Sequence, residues 1–149
     1  GDRTSIPFLL HMPSLFERFV EQWLADRIRQ DQLPIRVHRQ APIIVGTPDS
    51  VRFIVDVLLT DDAGNPICVL DTKYKDTAVP AAGDVAQVAF YAQSMGAKCA
   101  GLVYPSVIRN HWYGESGAIG LFALSFDISA DLETAGKEFL DQLLERVDQ

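Results

Sequence analysis

Asp71-Thr72-Lys73 closes the apolar run Ile67-Cys68-Val69-Leu70, so an acid and a base stand one residue apart where the chain is still expected to be inside the protein. Residues two apart on a strand share a face, so Asp71 and Lys73 are predicted neighbours, with Ile67, Val69 and Lys75 on their side and Cys68, Leu70, Thr72 and Tyr74 on the other. The preceding apolar run, FIVDVLL, carries a second acid, Asp56, and a lone carboxylate there is costly to bury. Asp56 and Asp71 lie nearly symmetrically about the turn Asp62–Pro66, which lets a hairpin bring them together on one face. Two adjacent carboxylates repel, and a shared proton or a bound divalent cation relieves that. Oxygen ligands suit Mg²⁺, the backbone carbonyl of Thr72 would add a third ligand, and Lys73 could polarise an attacking water or neutralise charge on a pentavalent phosphate. That combination suits phosphodiester hydrolysis. The bland alternative is an ion pair at a fraying strand end, with Asp56 bonded to a loop.

The elements that must position these residues follow from periodicity. Leu15, Phe16, Phe19, Val20, Trp23, Leu24 and Ile28 recur at helical spacing, which predicts an amphipathic helix. IRVHRQAPIIV, VRFIVDVLLT and ICVLDTKYK, separated by the turn-rich GTPDS and DDAGNP, predict an antiparallel meander of three strands. Asp84–Met95 reads as a helix stopped by Gly96, CAGLVYP and AIGLFALSFDI as two strands, and LETAGKEFLDQLLERV as a terminal helix weakened locally by Gly136. The predicted order is α-β-β-β-α-β-β-α, an α/β (α+β) mixed sheet flanked by helices.

In this order the residues resemble the PD-(D/E)xK nuclease core, αβββαβ, here with an additional strand and a C-terminal helix. More narrowly, MPSLFERFVEQWL, VLDTKYK, DVAQVAFYA and GLVYP together resemble the nuclease domain of the McrC family, the endonuclease subunits of McrBC-type modification-dependent restriction systems. The resemblance runs from about Ile6 to Asp127. The proline that often precedes the first acid is Val55 here, a small departure because that proline is not a ligand. The resemblance implies a Mg²⁺-dependent DNA endonuclease, with Mn²⁺ able to substitute, built on Asp56, Asp71 and Lys73. It also implies DNA and a McrB-like AAA+ GTPase as partners, and a cytoplasmic location. The chain starts abruptly at GDRTSIPFLL, so a single nuclease domain over residues 1–149, cut from a longer chain with a missing N-terminal domain, is expected.

Three further residues carry two readings each. Glu17 matches the first-helix acid that the family directs at its metal, directly or through water, yet Ser14-x-x-Glu17 is also the spacing of a capping box. Gln87 and Tyr91 share a helix face and resemble the Gln-x-x-x-Tyr feature of RecB-like and McrC-like nucleases, although Asp84-x-x-Gln87 again mimics a cap and Tyr91 suits a core.

Composition narrows the remaining classes. A chain of 149 residues that is 48% hydrophobic fills one core, and a net charge of −7 argues against gripping nucleic acid by overall charge. Cys68 and Cys99 lie in apolar runs and read as buried thiols in a reducing compartment; His11, His38 and His111 lack ligand spacing. No stretch approaches the roughly 18 apolar residues of a membrane span, and nucleotide-binding Gly loops are absent, so any motor is another chain. Two other functions fit the same residues: a RecB-like exonuclease domain attached to a helicase, and a non-catalytic scaffold that stimulates a partner motor.

Overall fold

Four-residue steps of apolar side chains set the first helix against the sheet. In the computed structural model, which describes residues 11–106 and 112–149, helix α1 spans Met12–Gln30 and buries Phe16, Val20, Leu24 and Ile28 along one line. It begins three residues before the predicted start, with Pro13 in its first turn, where a missing N–H costs nothing. Strands β1 (Ile35–Val45) and β2 (Val51–Asp61) form an antiparallel hairpin, and β3 (Pro66–Thr72) adds antiparallel to β2, as the meander predicted. Helix α2 (Ala82–Met95) starts two residues earlier than expected and ends at Gly96, whose φ of 74° is the left-handed cap that glycine adopts freely. It leads to β4 (Cys99–Tyr104), which lies parallel to β3.

The sheet has six strands in the order β1-β2-β3-β4-β6-β5, one more than periodicity suggested. The additional strand is β5 (Tyr113–Ser116), antiparallel to β6 (Ile119–Ser125) at the sheet edge; its Tyr-Gly-Glu-Ser sequence has no apolar alternation to reveal it. Strand β6 is parallel to β4, and helix α3 (Leu132–Val147) follows, capped by Asp131 accepting from the Thr134 N–H at 3.1 Å. The architecture is therefore a mixed α/β sheet of the restriction-endonuclease-like kind, with helices on both faces. Every residue of β4 is buried, as expected for a strand covered on both sides. Cys68 and Cys99 are free, buried and paired in register. Among the described residues no helix is long and apolar enough to cross a membrane.

Helices α1 and α3 cover one face, with Val57, Leu59, Cys68, Leu70, Val103 and Phe122 beneath them; α2 covers the other, over Val55, Val69, Ala100 and Leu102. The β1–β2 ribbon changes sides partway along. Ile35, Val37, Val57 and Leu59 pack with the α1/α3 layer, whereas Ala41, Ile43, Phe53 and Val55 pack with the α2 layer, although simple alternation places all of them on one face. The change falls between the pairs Arg39↔Val57 and Ala41↔Val55, where Gln40 takes a φ of 54° opposite Asp56. The left-handed backbone of Gln40 is the local break in the alternation.

Gly136 is not merely a weak point in α3. A Cβ there would lie 2.2 Å from Cζ2 of Trp23, and that indole packs edge-on against Phe126 and Phe139. The absent side chain lets α3 close on α1, which outweighs the roughly 1 kcal/mol of helix propensity that glycine forfeits. Gly136→Ala is therefore expected to destabilise the chain by about 1–3 kcal/mol in chemical denaturation, the usual range for overpacking. A gain in stability would show that α3 can shift away from Trp23.

Candidate active site

The site is built where two strands part. The β2–β3 ladder runs Leu59↔Cys68, Leu58↔Val69, Val57↔Leu70 and stops, while β3 continues alongside β4 through Asp71↔Leu102 and Thr72↔Val103. One further step would set Asp56 opposite Asp71, so both acids stand at the mouth of a fork in the sheet. The Thr72 N–H, which would otherwise bond to β2, donates instead to Asp56 Oδ2 at 2.9 Å, and the Thr72 hydroxyl donates to the same oxygen at 3.0 Å. Alternation had placed Thr72 on the opposite face from the acids; the fork brings the Asp56 carboxylate within its reach. A strand residue directs its N–H and C=O to the same edge, so the Thr72 carbonyl also faces this opening.

Lys73 lies just past the end of β3, which stops at Thr72 rather than running on to Lys75. Its N–H still donates to the Val103 carbonyl at 2.8 Å, and this keeps its side chain on the Asp71 side. The ammonium is 2.8 Å from Asp71 Oδ2 and donates to Gln87 Oε1 at 2.8 Å. This ion pair occupies the buried Asp71 Oδ2, which has no further hydrogen-bond partner among the described residues. Gln87 Nε2 donates in turn to the Tyr91 hydroxyl at 3.0 Å. The i, i+4 face of α2 thus forms a relay onto Lys73, and the capping reading of Asp84-x-x-Gln87 fails because α2 begins at Ala82 with no side-chain cap.

Glu17 comes from the opposite layer. Ser14 lies inside α1 with its hydroxyl 2.6 Å from His11 Nδ1, and no side chain caps the helix, so the capping box does not form. Glu17 instead accepts a hydrogen bond from Gln40 Nε2 and interacts with Asp56. One turn further on, Glu21 is almost fully buried, with Oε1 lacking a hydrogen bond. Thus the structure brings together Glu17, Asp56, Asp71, Thr72, Lys73, Gln87 and Tyr91, the residues singled out from the sequence. It adds Gln40, Glu21 and Asp84. For Glu21 the signal was its i+4 spacing from Glu17; for Gln40 the sequence holds none. His38 bonds Thr60 at 2.8 Å, away from this cluster, and His111 lies outside the described residues.

The electrostatics are those of acids kept from water. Burial is the first cause that pushes Asp56 up to about 6, and Glu17 adds to it against the Thr72 donors. Burial followed by the charge of Asp56 pushes Asp71 up to about 6, with Lys73 opposing. Glu17 and Glu21 are raised, again by burial first. Burial alone would lower Lys73, but Asp71, Asp84 and Asp56 outweigh it and hold its pKa above the usual lysine value. Among the described residues no three His, Cys, Asp or Glu side chains converge as a ready-made ligand group. The donors on offer are two carboxylates and a carbonyl, all hard oxygens, and Asp71 Oδ2, paired with the Lys73 ammonium, is an acceptor that a small hard cation fits in its place.

A carboxyl group whose pKa is higher in the folded chain than in the unfolded one favours folding when protonated. Its contribution is fully present below the unfolded value near 3.8 and is lost as pH rises through about 6. In metal-free protein, Asp71→Asn should therefore gain on wild type by on the order of 2–3 kcal/mol as pH rises from 4 to 7. Parallel stability curves for the two proteins would mean that Asp71 is not under this strain.

A chain of the tetradecameric assembly of Thermococcus gammatolerans McrB AAA+ hexamers with bound McrC superposes with a TM-score of 0.64 at 16% identity, covering 91% of this chain and 34% of that one. The chain described here thus spans about a third of that protein's length. Protein VC1899 from Vibrio cholerae is similar over 62% of this chain and 24% of its own, at 17% identity and a TM-score of 0.48. No curated protein matches the sequence. The family described as McrBC 5-methylcytosine restriction system component matches residues 1–105, and the chain belongs to that family.

Proposed function

We propose that this chain is a Mg²⁺-dependent endodeoxyribonuclease domain and the nuclease part of a McrBC-type modification-dependent restriction system. The observation that carries the reading is the fork, where the half-buried Asp56 and the buried Asp71 stand together with Lys73 against Asp71. Asp56, Asp71 and the Thr72 carbonyl would hold the cation, with Glu17 reaching it directly or through water. When bound, Mg²⁺, or Mn²⁺ in its place, supplies Lewis acidity toward a phosphate oxygen. Lys73 has a raised pKa and stays cationic at neutral pH. It therefore acts by charge and hydrogen bonding, steadying the attacking water and the negative charge that gathers on the phosphoryl oxygens. Gln87 fixes the ammonium and Tyr91 fixes Gln87, so both position Lys73 rather than react.

The acidic balance shapes the rest of the proposal. With net charge −7 and 13 Lys plus Arg, the chain can neutralise few phosphates, so its own affinity for DNA is weak and its salt dependence shallow. Recognition of the modified base is assigned to a McrB-like AAA+ GTPase. Tethering then raises the local DNA concentration without new contacts here. Such a system works in the cytoplasm, where the DNA is.

Two experiments check this. Lys73→Ala should lower phosphodiester cleavage by a factor on the order of 10² while Mn²⁺ still binds, the pattern of a lost transition-state partner. Loss of Mn²⁺ binding in that variant would make Lys73 a structural ion pair instead. The second compares the chain alone with the chain plus its GTPase, GTP and Mg²⁺, on a closed circular plasmid and on its methylated copy. Cleavage is expected only in the reconstituted, methylated case. Strong nicking of both plasmids by the lone chain would point to a self-sufficient nuclease, and cutting that needs a DNA end to a RecB-like exonuclease.

A further inference from the structure

Lys75 and Asp84 are charged residues beside the site that the proposed reaction leaves unused. Asp84, in the first turn of α2, receives Lys75 Nζ on Oδ2 at 2.7 Å, while its Oδ1 lies 3.6 Å from Lys73 Nζ. Lys73 is in turn 2.8 Å from Asp71. The four side chains form a line of alternating charge from the surface inward. Lys75 is 52% exposed, Asp84 and Lys73 are 16% and 18%, and Asp71 is 6%. Tyr104, buried on β4 one step past Val103, lies close enough to Asp84 and Asp71 for both charges to act on its hydroxyl, and it closes the inner side.

Two features of this line are unequal. In its outer pair Lys75 is half in water, so that contact is weak and Lys75 exchanges Asp84 readily for another anion. Its inner pair occupies the carboxylate that the cation needs, because Lys73 and a metal ion compete for Asp71. Asp84 divides its charge between two lysines, and a carboxylate relieved of one cation attracts the other more strongly.

We propose that Lys75 and Asp84 form a phosphate-responsive latch on Lys73. A backbone phosphate of the bound strand takes Lys75 from Asp84; Asp84 then draws Lys73 off Asp71; and Asp71 is freed for the divalent cation. No bond is made or broken in this exchange of ion pairs. Asp84 is a positioning residue and Lys75 is the group that touches the DNA backbone. The inference rests on the cation site proposed above and adds an order of events, in which the phosphate arrives before the metal is held tightly.

The test is Mn²⁺ affinity, measured by titration calorimetry on the 149-residue chain. Wild type is compared with Lys75→Ala, Asp84→Asn, the double variant and Asp71→Asn, with folding checked by circular dichroism. Asp84→Ser replaces Asp84→Asn if the latter does not fold. The latch requires that Lys75→Ala tighten Mn²⁺ binding by about threefold or more in the presence of Asp84 and leave it unchanged in the Asp84→Asn background. A short phosphorothioate duplex should tighten Mn²⁺ binding to wild type but not to Lys75→Ala. If the Lys75→Ala gain persists in the double variant, the two residues act as independent field charges and the latch is wrong, while the cation site stands. If Asp71→Asn binds Mn²⁺ as wild type does, or neither binds it, the cation site is wrong and the latch falls with it.

Discussion

Two carboxylates share a site with too little water to ionise both comfortably, and the molecule around them is arranged to hold them there. Neither acid could stay buried without a partner, because an unpaired ionised carboxylate in a protein interior shifts its pKa or draws in a counter-charge. The shift is present: burial raises both, the charge of Glu17 adds to it at Asp56, and the charge of Asp56 adds to it at Asp71. So is a partial counter-charge, Lys73 on one side and the Thr72 donors on the other. The arrangement persists because the surrounding core is large and apolar, with helices packed on both faces of the sheet. Stability elsewhere offsets strain at the site, as is common where function needs groups that a core alone would reject.

The fork in the sheet converts this cost into access. While a ladder runs, its backbone groups are occupied and side chains divide strictly between the two faces. Where β2 and β3 separate, a backbone N–H becomes free to bind a carboxylate, and side chains from both helical layers can reach one point. Glu17 arrives from the α1 layer, Gln87 and Tyr91 from the α2 layer, and Gln40 from β1 through its left-handed backbone. The reversal of the β1–β2 ribbon occurs at the same level. Twist, kink and fork are thus one feature seen from three strands.

Much of this could be read from the chain alone, for identifiable reasons. Asp56 and Asp71 stand in apolar strands joined by a short turn, and the two-residue period with near-symmetry about that turn is enough to pair them. Lys73 follows from the same period, and Gln87 with Tyr91 from the helical one. Sequence-local information also marks α1, α3 and the meander, whose apolar patterns are long and regular. The resemblance to the McrC nuclease domain rests on stretches of α1, β3, α2 and β4, and the match of the McrBC family to residues 1–105 spans all four elements.

What local patterns could not supply depends on contacts between distant segments. Ser14-x-x-Glu17 has the spacing of a cap whether or not the helix starts there, and only the earlier start at Met12 frees Glu17 for Asp56. Strand β5 exists because β6 offers it an edge, and its own residues have little strand character. Gly136 reads as a flaw until Trp23 is seen filling the space. Gln40 and Glu21 enter the site through a backbone kink and a helix packing angle, and Asp84 through the length of the loop after Lys75. The sequence by itself therefore determined which residue types stand at which period along each element, because that is set by the repeat of strand and helix. The tertiary structure alone decided which of them meet, because that depends on where a ladder stops and how the layers close over it.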